Sequence, residues 1–118
     1  MAVLESNISM VEYDPGMDKQ YLYSLVAECE GDVVELKHKI QEVKELMANS
    51  TNIYIAWCEE EGIPSIENNL GMIKDSRIPE LKSLEDAKDY KRKINEEKEK
   101  CRSIYEEVCK LASQYANQ

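Results

Sequence analysis

The string VELKH sets Glu35 and His38 at the Glu-x-x-His spacing that di-iron helical bundles use to hold metal. Such a centre would need further ligands, and His38 is the only histidine of the chain. Leu36 and Ile40 claim the apolar side of the same helix and put His38 on its outer part, so no metal or cofactor is expected. Cys29, Cys58, Cys101 and Cys109 contain no C-x-x-C pair and suggest neither a zinc site nor a thioredoxin-type motif. They read as buried thiols. Cys101 and Cys109 on one helix would stand about 12 Å apart, beyond disulfide reach, and a bridge from Cys29 to either would require two helices to align. Glu59, Glu60 and Glu61 could meet a cation, but after a helix end they read as a solvated acidic cap that opposes the helix dipole. There is no Ser-His-Asp spacing and no glycine-rich phosphate loop among four glycines. No catalytic residue is assigned, and the chain is not expected to be an enzyme.

The partners of such a chain are bounded by its charge. With 24 acidic and 15 basic side chains in 118 residues, the net charge of −9 would repel phosphate backbones and anionic membranes. Nucleic acid and membrane insertion are therefore not expected. The opening MAVLESNISM has neither a basic n-region nor an apolar core, so the chain is expected in the cytoplasm as made. Export would have to proceed without a cleaved signal peptide. The sequons at Asn7 and Asn49 are accordingly read as chance matches.

A single domain is expected, built from helices. After an N-terminal arm over 1–14, Asp14 can cap a helix with Pro15 at its first position. Leu22, Val26, Cys29, Val33, Leu36, Ile40, Val43 and Met47 then alternate gaps of four and three without a failure, a heptad seam. Continued through Ser50, Tyr54 and Trp57, it predicts one helix over 15–58, with Gly31 a weak point. Gly62 suits a C-cap and Pro64 a stop, giving a turn over 59–65. Ser65 offers the next N-cap, and a second helix is expected over 66–116, broken near 75–80 by Pro79. Ser83 and Asp86 have capping-box spacing. The second seam reads Leu84, Ala87, Ile94, Cys101, Tyr105, Val108, Ala112 and Tyr115, thinned by Lys91 and Lys98. The charge run over 88–102 is its wet face.

The fold expected is thus all-α, an antiparallel helical hairpin of two long helices. Two such rods have little interior, and Leu25, Val34, Leu46, Ile53 and Ile55 widen the stripe on the first. The hairpin is therefore expected to pair, as a homodimer or with another helical protein, into a four-helix bundle. Its partner interface would be Leu22, Val26, Val33, Leu36, Ile40, Val43, Met47 and Tyr54. Trp57 and Gly62 would mark the hairpin turn, with Trp57 either plugging the gap against Ile66 and Leu70 or standing exposed as a recognition element for a secretion partner.

A helical hairpin with Trp57 at the end of helix one, followed by IPELKSLEDAKDYKRKINEEKEKCRSIYEEV, resembles the W-x-G family of ESAT-like type VII secretion proteins over 17–115. Here Cys58 and Glu59 follow Trp57, and the nearest glycine is Gly62. The family's export signal, Tyr-x-x-x-Asp/Glu, is not matched at Tyr90, Tyr105 or Tyr115. The resemblance implies a non-enzymatic helical protein, either a secreted substrate or a targeting partner of a larger secreted toxin, acting by helix pairing. The other expectation is a cytoplasmic coiled-coil adaptor or regulator unrelated to secretion.

Overall fold

A computed structural model describes residues 13–117, and among these the chain is all-helical with no strand; the expected arm lies largely outside them. Helix α1 spans Pro15–Met47, α2 Ile53–Trp57, α3 Ile63–Met72 and α4 Leu84–Ala116. Asp14 caps α1 as expected, its Oδ1 accepting from the Gly16 amide at 3.0 Å, with Pro15 in the first turn. Ser83 caps α4, its Oγ accepting from the Asp86 amide at 3.1 Å.

The path between the two long helices differs from the hairpin. Helix α1 ends at Met47, well short of 58, and the chain reverses over 48–52. Ala48 takes φ 56°, a backbone region that usually selects glycine, so the turn carries no glycine signal. Asn52 then starts α2, its Oδ1 accepting from the amides of Tyr54 and Ile55 at 2.9 and 3.2 Å.

No turn falls at 59–65. The backbone stays helical from α2 into α3 through a π turn over Cys58–Gly62, closed by the Ile63 amide donating to the Cys58 carbonyl. A second π turn, Ile73–Arg77, is closed by Ile78 donating to Ile73, and a 3-10 turn Ile78–Glu80 follows. Each π turn stands immediately before an Ile-Pro pair, Ile63-Pro64 and Ile78-Pro79. A proline has no amide hydrogen to donate and its ring clashes with the carbonyl four residues back. Widening the preceding turn to an i→i+5 bond moves that carbonyl aside and lets the helix pass through. Pro64 therefore bends the expectation of a stop into a continuous middle rod over 53–80.

Ion pairs give the directions. Lys44–Glu59 at 3.0 Å, Lys37–Glu67 at 2.8 Å and Lys74–Glu30 at 3.6 Å run the rod antiparallel to α1. Lys98–Glu28 at 3.4 Å, Lys91 over the Tyr21 ring at 5.5 Å, and Asn52 Nδ2 donating to Tyr115 Oη at 3.2 Å run α4 parallel to α1. The two long helices are thus parallel rather than antiparallel, joined by the rod in an up-down-up bundle. Each is 33 residues, about 50 Å.

The first seam falls where the spacing put it: all eight of its residues, Leu22 to Met47, are buried. They face the rod and α4 of the same chain, joining Ile55, Ile63, Ile66, Leu70, Ile73, Ile78, Ile94, Cys101, Ile104 and Val108 in one core. The seam is thus covered from within the chain, whereas Val34, Leu46 and Ile53, which widen the stripe, stay exposed at 51, 41 and 90 %.

Candidate interaction groove

A π turn has more residues per turn than an α-helix, so it brings residue i+5 back beneath residue i. That is how Trp57 and Gly62 meet. A Cβ built on Gly62 would lie 2.9 Å from the Trp57 Cζ3, closer than real side chains come, and a tight 3.1 Å from its Cη2. Gly62 is helical at φ −61°, so it serves neither as a C-cap nor as a positive-φ residue. It is there to let the indole lie down. Tyr54 also packs against Trp57, ring centroids 5.6 Å apart and planes tilted by 31°. Although in contact with both residues, Trp57 remains 41 % exposed, so the expected buried plug is corrected to an open ring.

Trp57 and Tyr54 form one wall of a groove of about 810 Å³ between the rod and α4. Buried Ile66 and Ile104 make its floor, and Glu61, Glu96, Glu99 and Lys100 its rim. Burial pushes the Tyr54 hydroxyl's pKa upward, with the nearby Cys58 and Glu107 adding to the effect. The Arg102 guanidinium beside Glu99 holds that rim carboxyl below its usual range. Below the groove, Glu97 is buried, its Oε1 accepting from Asn69 Nδ2 at 3.1 Å and its Oε2 meeting Lys100 Nζ at 3.0 Å. This pair fixes the register of rod against α4.

The other sequence-selected residues are spread through the bundle. Leu22, Val26, Val33, Leu36, Ile40, Val43 and Met47, expected at a partner interface, are core residues at most 8 % exposed. Of that set only Tyr54, half-buried, lines the Trp57 groove. Glu35 and His38 are both exposed on α1, and among the described residues no three His, Cys, Asp or Glu side chains are grouped to hold a metal. Glu59, Glu60 and Glu61 are exposed, but inside the rod rather than at a helix C-terminus, so the expected conflict with the dipole does not arise. All four cysteines are free; Cys29, Cys58 and Cys101 are buried as expected, while Cys109 is only half-buried. Burial pushes the Cys29 thiol up to about 12 and those of Cys58 and Cys101 up to about 11, which leaves them protonated and poor nucleophiles.

Comparison with known proteins places nothing beside this arrangement. Neither a protein-family model, nor a curated protein, nor a solved structure matches the chain. Among the described helices none is long and apolar enough to cross a membrane.

One residue of the groove, Ile104, and the residue that caps the groove's rod, Asn52, escaped the sequence reading. Ile104 was hidden because the second seam was drawn through Tyr105; the buried line is Ala87, Ile94, Glu97, Cys101, Ile104, Val108 and Ala112, with Leu84 exposed. A glutamate at an inward position broke the apolar pattern at the decisive step. Asn52 carried a legible signal: the polar run Asn49-Ser50-Thr51-Asn52 before an apolar stretch is an N-cap pattern, and reading it as such would have ended α1 early.

Proposed function

We propose that this chain is a non-enzymatic adaptor that binds another protein's helix through the Trp57 groove. The observation that carries this reading is the tryptophan itself. A large aromatic ring kept two-fifths exposed above an apolar floor, and clamped by Tyr54 and Gly62, is pre-ordered for contact and loses little side-chain freedom on binding. The thiols of Cys29, Cys58 and Cys101 are buried and protonated, and His38 is exposed to solvent. The test is a photo-cross-linking residue at Ser103, which lines the groove, with the same residue at Lys82 as control. A discrete cross-linked protein from Ser103 alone, abolished by Trp57→Ala, is expected; identical products from both positions would overturn the reading.

The exposed ring also supports a second reading, in which the chain is a type VII secretion substrate or the targeting partner of a larger toxin and Trp57 is read by the secretion apparatus. Export or toxin targeting in a host with such a machine should then fail for Trp57→Ala while the protein still accumulates folded. Export unaffected by that substitution would contradict it.

A further inference from the structure

We infer that the occupant of the Trp57 groove is a basic amphipathic helix, an inference that rests on the adaptor reading above and names its partner's chemistry. From Tyr54 to Ile66 the rod offers a wall of about 18 Å, and from Glu96 to Ile104 α4 offers about 12 Å. That length seats two to three turns of a helix laid along the seam, with apolar anchors at i, i+4 and i+7 spanning about 10 Å. Ile53, 90 % exposed and four residues before Trp57, extends the apolar strip to the end of the rod.

Charge selects the flanks of that helix. Three carboxylates, Glu61, Glu96 and Glu99, and one ammonium, Lys100, line the groove. Glu96 and Glu99 are paired with Arg92 and Arg102 and line the neighbouring cavities together with them, so the unneutralised charge of the rim is that of Glu61. Glu61 has no ion-pair partner among the described residues. The Lys100 ammonium is engaged by Glu97. Lysines or arginines beside the apolar anchors of an incoming helix complement this rim, and a second copy of a chain with net charge −9 does not. Residues 1–12, with Glu5 and Glu12, also bring charge of the wrong sign.

The probe is a synthetic peptide of about 14 residues, made of leucine and lysine with the leucines in a helical stripe, compared with its twin carrying glutamate for lysine. Trp57, the only tryptophan, reports on the full-length protein, and amide shifts map the site. The lysine peptide should move Trp57 emission to the blue with saturation, perturb residues 54–66 and 96–104, and weaken steeply toward roughly 0.5 M salt. The charge reversal Glu61→Lys should weaken it about fivefold without changing the melting temperature. Equal binding of the glutamate twin at the same residues would overturn the basic partner while leaving a helix-binding groove. Failure of both peptides to move Trp57, with shifts scattered over other acidic faces, would overturn groove and partner together. Trp57 emission that shifts with protein concentration alone would assign the groove to a second copy. Contacts from residues 1–12 to the indole in the free protein would assign it to the chain's own segment. Either result also overturns the basic partner.

Discussion

Trp57 packs against Tyr54 and Gly62 of its own rod and keeps 41 % of its surface exposed, which decides what its removal does. Trp57→Ala leaves no closed cavity for the fold to collapse around, so the cost should be about 1–2 kcal/mol instead of the 3–5 typical of a buried tryptophan. Chemical denaturation measures it, and a loss near 4 kcal/mol would mean that the ring is buried. Titration of the thiols is a second residue-scale matter. Cys29, Cys58 and Cys101 have folded pKa values raised above the ordinary 9.0, to about 12, 11 and 11, chiefly by burial. A raised folded value means that their contribution to stability is complete below pH 9 and is lost as the unfolded thiols ionise, between pH 9 and about 11–12. Denaturation midpoints in reducing buffer should fall over that interval, and Cys29→Val should flatten part of the fall. A variant with an unchanged slope would show the thiol to be solvated.

Within the elements, the contact that most constrains rod against α4 is polar. Glu97 sits at an inward position between Ile94 and Cys101, where the helix would otherwise place an apolar side chain. Glu97→Ala should cost about 2–3 kcal/mol by leaving Asn69 unpartnered, while replacing both residues with leucine should recover most of that loss. A double-mutant cycle measures the coupling, and purely additive losses would show that Asn69 and Glu97 do not meet. The same glutamate explains how far α4 was legible. Its helical character and its Ser83 cap follow from local spacing, whereas its inward face depends on one buried polar residue that no periodicity reveals. Helix α1 was legible to the residue because every inward position is apolar. Its end was not, since Ala48 turns the chain without a glycine. The rod was misread because proline ordinarily stops a helix, and whether a π turn absorbs it depends on packing by Ile55, Ile63 and Ile66 on either side of the widened turn.

At the scale of the whole molecule, the parallel course of the long helices separates an up-down-up bundle from a two-rod hairpin. Zero-length carbodiimide coupling should join Glu28 to Lys98 and Glu67 to Lys37 within a single chain, since these pairs stand 3.4 and 2.8 Å apart. Coupling of α1 to the opposite end of α4 instead would restore the antiparallel hairpin. Because the α1 seam finds its cover inside the chain, the surface proposed for a partner is the groove between rod and α4. Everything proposed for that seam depends on Trp57 lying over Gly62 in unbroken helix. The Hα resonances of Gly62 report this contact directly by nuclear magnetic resonance. Ring current from the indole should move them well upfield, with cross-peaks to the Trp57 ring and helical amide contacts from Trp57 through Ile66. Gly62 protons at ordinary turn positions, with no contact to the indole, would contradict the continuous rod and the groove built on it.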